Sequence, residues 1–294
     1  MRGSDERPSG IRRAKRSPDD EVQIGAAYLA SMARLLVAID GDLAGFGRHA
    51  YEWVSTNTTL STLAQLDSLL RPLERLAFDL RMKRREYLEK QLRAIQINEN
   101  TFLKLHIGSG EYSLDSWINI DAYPAQLAMD VRWGLPFPDN SVAFVFLSHT
   151  LEHLFYPREA LQLAKDIKRV LRPGGVLRVI VPDVEKCLRA YVEDDKEFFA
   201  SRRKTWTWWP KDVTRLQEVL CYAGAGSWFG LASHKFGYDY ETLCHLFAMA
   251  GFRNVKRSEY MQSEYAELRI DKASKVAGAM YGNRYYSLFA EATA

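Results

Sequence analysis

At 294 residues the chain can hold one large domain, or one domain with a substantial appendage, because single cores stop growing near about 250–300 residues. A hydrophobic share of 47% and an aromatic share of 12% exclude wholesale disorder. With 40 Lys and Arg against 37 Asp and Glu, the net charge of +3 gives no large field of one sign, so nucleic acid is not the expected partner.

Residues 1–20 lack apolar periodicity and are dense in charge, Gly, Pro and Ser, which predicts a disordered tail; its basic residues Arg12, Arg13, Lys15 and Arg16 could touch an acidic partner. Residues 24–39 are apolar but broken by Arg34, and are shorter than the roughly 20 residues a membrane span needs. The mixed charged leader, with Asp19 and Asp20, does not resemble a secretory signal. No membrane span and a cytoplasmic location are the expectations. The widely spaced cysteines, Cys187, Cys221 and Cys244, form no C-x-x-C pair and read as free thiols.

A helical N-terminal subdomain is predicted over residues 21–98. Its strongest signal is the ladder Leu63, Leu66, Leu70, Leu73, Ala77 and Leu80, with apolar residues at steps of three and four. Thr59 or Ser61 can cap this helix, and Pro72 would kink it or divide it in two. Paired with residues 21–55 it would make a hairpin, serving as a lid, as a homodimerisation arm, or as cover for an exposed face of the next domain.

From residue 99 to 294 short Val-, Ile-, Leu- and Phe-rich runs alternate with helical segments, the signature of an α/β domain. Residues 101–107 read as a buried strand that ends in Gly108-Ser109-Gly110, where the lack of a Cβ lets a ligand approach the backbone. The next strand, residues 117–120, ends in Asp121, a carboxylate able to accept from two ribose hydroxyls. Dinucleotide folds place a third glycine, a helix and then the acid about 20 residues on. Here the third glycine is absent and only residues 111–120 intervene, too few for a helix and a strand, so NAD and FAD are disfavoured while a phosphate-free nucleoside cofactor fits.

Further on stand Met129-Asp130-Val131, then Leu135-Pro136-Phe137-Pro138-Asp139-Asn140-Ser141, then a strand over residues 142–147 and Ser148-His149-Thr150-Leu151-Glu152-His153. The run Arg169-Val170-Leu171-Arg172-Pro173-Gly174-Gly175 precedes another strand. In this order the elements resemble the class I S-adenosylmethionine-dependent methyltransferases of the type-11, ubiquinone/menaquinone-methyltransferase-like kind. The resemblance extends over residues 103–268, through His234-Lys235-Phe236-Gly237-Tyr238-Asp239 and Ala250-Gly251-Phe252. The sequence departs from that pattern where His106 stands for the usual acid before the first glycine, and Tyr112 for the third glycine.

The resemblance implies a Rossmann-like α/β fold with a mostly parallel seven-stranded sheet, and S-adenosylmethionine as cofactor with S-adenosylhomocysteine as product. It implies that Gly108, Ser109 and Gly110 face the methionine end, Asp121 the ribose, and Asp130 with Val131 the adenine. Leu147, Ser148 and His149 would line the floor near the sulfonium.

Methyl transfer asks the protein to position a nucleophile and, for a hydroxyl or ammonium, to take its proton; His149, His153 and His234 fall where a base could act. An insert over about residues 196–236 concentrates Trp206, Trp208, Trp209, Tyr222, Trp228 and Phe229. Of these Trp208, Trp228 and Phe229, with Tyr238, are candidates to bind the acceptor, although an aromatic insert can equally pack its own small core. No Asp and Glu pair stands at ligand spacing, so no metal is expected.

The function expected is methyl transfer to oxygen or nitrogen of a small molecule, such as a secondary metabolite or saccharide. The alternatives are a carrier-bound or macromolecular substrate, and a pseudoenzyme that keeps the fold and works as an assembly partner.

Overall fold

The structure, a computed structural model, describes residues 60–95, 102–122, 125–207, 212–225, 233–274 and 276–294, with backbone alone for 60–70. The expected tail, the first half of the expected hairpin, and Trp208, Trp209, Trp228 and Phe229 lie outside the described residues. The chain divides into two compact units, residues 1–83 and 84–294. In the first, the described residues belong to helix α1 (Leu60–Ala94), which runs on through Pro72 without dividing.

The second unit is built on seven strands: β1 (Leu103–Ile107), β2 (Ile118–Asp121), β3 (Leu127–Ala128), β4 (Val142–Ser148), β5 (Leu171–Pro182), β6 (Arg253–Ser258) and β9 (Ser287–Thr293). Their order is β3-β2-β1-β4-β5-β9-β6, with β9 alone reversed, antiparallel to both β5 and β6. This is the mostly parallel, seven-stranded α/β arrangement expected. A separate hairpin joins β7 (Met280–Tyr281) to β8 (Arg284–Tyr285).

Central strands bury both faces, so their side chains alternate between two cores. Leu105, Ile107, Val145, Leu147, Leu177 and Val179 enter the main core. Helices α2 (Arg158–Val170) and α6 (Tyr240–Met249) cover it, and α2 does so because Ala160, Leu163, Ala164, Ile167 and Val170 recur at helical spacing. The apolar spacing of α1 continues past the sequence ladder to Leu88, Leu92 and Ile95, which pack on the same core. Gln91 finishes the edge of the sheet. Its amide donates to Ala128 O at 3.0 Å while its Oε1 accepts from Ala128 N at 2.8 Å, so a side chain does what a further strand would do for β3.

The other face, with Phe146, Val176, Ile180 and Phe289, is covered without any helix longer than a 3-10 turn among the described residues. The ten-residue link from Gly110 to Asp121 has no room for one, and residues 259–274 and 276–285 take its place. That coil is held by Arg178 of β5, which is fully buried: its guanidinium donates to both oxygens of Asp271 at 2.7 and 2.6 Å, to Glu291 Oε1 at 2.8 Å, to Ser258 Oγ at 3.0 Å, and to Gln262 O and Glu259 O at 2.9 and 2.8 Å.

Helices α3 (Val184–Val192), α4 (Lys196–Thr205) and α5 (Arg215–Tyr222) form a smaller core beyond the end of β5, around Cys187, Phe198, Phe199, Tyr222 and Tyr286. Trp206 packs into it, its ring 5.1 Å from Tyr286, so this part of the insert does pack a core of its own.

His106, where an acid was expected, is 1% exposed beside Phe146 and hydrogen bonded to Asn119 Oδ1 at 3.2 Å. Burial drives its pKa from 6.5 down to about 4, against the Asn119 bond and the charge of Asp121. The fold therefore keeps it neutral, while the unfolded chain binds a proton as pH falls below 6.5. Stability should decline between about pH 6.5 and 4, by roughly 3 kcal/mol for this group. Urea unfolding at pH 7, 5 and 4 should show a flatter decline in His106→Gln than in the wild type; identical declines would rule this assignment out.

Candidate active site

The site lies at the carboxyl edge of the parallel strands, where open α/β sheets take their ligands. The glycine loop folds back onto β2: Gly108 N and Ser109 N both donate to Ile120 O, at 2.8 and 3.1 Å. Gly110 N donates to Asp121 Oδ2 at 2.9 Å, which orients the carboxylate against the loop. Asn119 closes the remainder, accepting from Leu114 N and donating to Leu114 O and Trp117 O.

Gly108 has φ +73°, and a Cβ there would fall 1.7 Å from Thr150 Oγ1, so the exit of β4 presses directly on the loop. At Gly110, φ +52°, a Cβ would meet nothing within 4 Å, so the second glycine faces open space. The hydroxyls of Ser109 and Ser148 are buried without a hydrogen-bond partner. An open face over the glycine loop, two waiting hydroxyls and a braced carboxylate are the features a bound nucleoside with polar substituents would satisfy.

His149 continues the ladder through its N–H to Ile180 O at 2.9 Å, but its φ is +50°, a strained conformation for a non-glycine residue. Its Nδ1 lies 3.1 Å from Glu152 Oε1 and its Nε2 3.0 Å from Ser287 Oγ. Glu152 is 1% exposed. Burial opposes its charge, but the His149 hydrogen bond and the potential of His149, His234 and His153 outweigh it and hold its pKa below the usual carboxylate value. An ionised Glu152 only accepts, so Nδ1 of His149 donates to it; in the neutral tautomer that this selects, Nε2 accepts from the Ser287 hydroxyl.

The 3-10 turn Leu151–His153 brings in the other two histidines. Lys235 N and Phe236 N donate to Glu152 O at 2.7 and 3.3 Å, which draws His234 beside His153 with ring centroids 5.1 Å apart. Burial lowers the pKa of His234 against the pull of Glu152. Tyr156 stacks on Phe236 at 4.2 Å and walls the same corner.

The predicted site residues thus separate. Gly108, Ser109, Gly110, Asp121, Ser148 and His149 gather at the edge of the sheet. Leu147 sits there in the backbone, but its side chain is in the main core. Asp130 caps the turn Val131–Trp133 through Arg132 N at 2.9 Å, and both its oxygens accept from the Arg132 guanidinium; Val131 packs against the main core. Tyr238 is fully buried, its hydroxyl without a partner.

His153 meets His234, placed there by the 3-10 turn that follows β4. Thr150 and Ser287 were missed. Ser287 carries no local signal, since its approach to His149 depends on the reversed insertion of β9.

Residues 112–179 match a family described as a methyltransferase domain. A 44-residue stretch is 43% identical to "Probable methyltransferase ltbC" of Aspergillus luteorubrus, spanning 15% of this chain and 15% of that relative. Among solved structures, a SAM-dependent methyltransferase from Archaeoglobus fulgidus is similar at 16% identity and TM-score 0.38, over 72% of this chain and 94% of that one. An S-adenosylmethionine-dependent methyltransferase from Mesorhizobium loti gives 14%, 0.37, 71% and 98%. No helix among the described residues is long and apolar enough to cross a membrane.

Proposed function

We propose that the chain carries a class I, S-adenosylmethionine-dependent methyltransferase domain, a reading supported by the family match over residues 112–179 and by the sheet order, and that it methylates an oxygen or nitrogen of a small molecule, of the secondary-metabolite or saccharide kind. The observation that carries the reading is the meeting at one sheet edge of a glycine loop braced on Asp121 with a histidine held by a buried carboxylate.

When bound, the cofactor supplies a methyl carbon already activated by its sulfonium. Gly108, Ser109 and Gly110 would hold its methionine end, Asp121 the ribose hydroxyls, and Val131, on the turn that Asp130 caps, the adenine. Leu147, Ser148 and His149 would form the floor. The chain's own work is then to bind the acceptor, orient it and take its proton. Glu152 fixes the His149 ring, so Nε2 presents a lone pair where Ser287 now donates; an acceptor hydroxyl in place of that serine would leave its proton on Nε2.

His153, His234 and the aromatic corner of Tyr156 and Phe236 bound the space next to His149, and Tyr238 supports that corner from beneath. For residues 21–98 a pairing role in a homodimer is the favoured reading, supported by exposed Leu76, Phe78, Leu80 and Met82 on α1.

The test is methyl-labelled cofactor offered with phenols, sugars and amines, each free and attached to a carrier protein. Label on free acceptors is expected. Label confined to carrier-bound or macromolecular acceptors would contradict the small-molecule assignment.

A further inference from the structure

Glu152 is only half accounted for by the reading above. Its Oε1 meets His149, but Oε2 is buried and meets no hydrogen-bond donor, and Nδ1 of His153 is also buried without a partner. Buried polar atoms left bare are costly, and two of them on neighbouring residues point to a missing group that both would bind.

We propose that Glu152, His153 and His234 bind one divalent first-row transition-metal ion and leave at least one of its coordination positions open. One ligand atom from each residue lies within 4.8 Å of the other two. Ligands sharing one ion at about 2.0–2.2 Å stand roughly 3–4 Å from each other, so only a small inward movement closes the site.

The surroundings are those of a metal site. A ligating imidazole keeps its second nitrogen on a carbonyl or carboxylate, which fixes the tautomer and aims the first at the ion. His234 does this, its Nδ1 lying 3.3 Å from Tyr222 O, which leaves Nε2 as the lone-pair nitrogen. The carboxylate is fixed in the same way, with Oε1 on His149 and Oε2 left over. Both ligand segments are tied together by the hydrogen bonds of Lys235 N and Phe236 N to Glu152 O, so the trio does not depend on loose side chains finding one another.

Two imidazoles and one carboxylate favour zinc, cobalt, iron or manganese over magnesium, which prefers oxygen alone. The expectation of no metal came from residues close in sequence; this set draws His234 from far along the chain. That the open position takes an oxygen or nitrogen of the acceptor rests on the function proposed above, whereas the binding of the ion does not.

The experiment uses the full chain after chelator treatment, titrated with Co²⁺ and followed by visible d–d absorption, with Zn²⁺ then added in competition. The wild type should bind one ion per chain, lose the cobalt bands to zinc, and melt at a higher temperature with zinc present. His234→Ala and His153→Gln should each weaken binding at least 10-fold and shift the bands; these part-exposed positions are preferred to Glu152, whose replacement could unfold the chain.

No saturable binding, or equal binding by wild type and both variants, overturns the proposal; equal binding would place the metal elsewhere on the chain. S-adenosylhomocysteine titrated into the chelator-treated protein should still bind, which separates failure of the metal site from failure of the methyltransferase reading.

Discussion

Replacing Asp271 by Ala should cost about 3–5 kcal/mol of folding stability, because it removes the bidentate partner of a fully buried arginine and leaves that charge without its main compensation. Arg178 also reaches Glu291, but Glu291 meets a single nitrogen, whereas Asp271 takes two and in addition accepts from Met261 N. The coil that depends on this arginine covers a whole sheet face, so the loss should appear as a lower urea midpoint and a lower melting temperature. Adding Arg178→Met to Asp271→Ala should recover part of the loss, since an apolar chain of similar length needs no carboxylate. A cost under about 1 kcal/mol for the single variant would show that the arginine is solvated and that the coil is held by its apolar contacts.

His149→Asn should slow methyl transfer by about 10²–10⁴-fold, the range for loss of a positioned base, equivalent to about 3–5 kcal/mol of barrier. Asparagine suits the test because it tolerates the positive φ and its amide can still donate to Glu152, so the backbone and the buried carboxylate keep their conformation. Its effect is read in the labelling assay at saturating cofactor, alongside the melting temperature. Ser287→Ala should leave transfer within a few-fold of wild type, because the serine only occupies the nitrogen that the acceptor needs. A slow His149→Asn enzyme that also melts far lower would instead mean a structural role.

What could be read in advance follows from how local each signal is. The strand followed by Gly108-Ser109-Gly110 and the acid Asp121 at the next strand end were legible, because the turn and the carboxylate are fixed by neighbours in the sequence. The segment Leu135-Pro136-Phe137-Pro138-Asp139 marked the family just as clearly, yet its task here is structural. Arg169 of α2 donates to Leu135 O, Phe137 O and Asp139, each at 2.8 Å, and so ties that segment to α2.

For Asp130 the resemblance implies a place at the adenine, and the structure adds the guanidinium of Arg132, two residues later, as its partner. The partners of His149 were hidden in the sequence. Ser287 reaches it only because β9 enters the sheet backwards between β5 and β6, and no periodicity in residues 287–293 announces that. Likewise, nothing near Arg178 in the sequence says that Asp271, 93 residues on, will meet it. The ladder in α1 was read as ending at Leu80, although its spacing continues into the residues that dock on the core.

On the proposed function, the glycine loop and Asp121 together bind S-adenosylmethionine. Calorimetric titration of the full chain with S-adenosylmethionine and S-adenosylhomocysteine, on wild type and Asp121→Ala, tests it most directly. Micromolar binding is expected, about −8 kcal/mol, weakened at least 10-fold in the variant. Absence of binding to both ligands, or equal binding by wild type and variant, would contradict it.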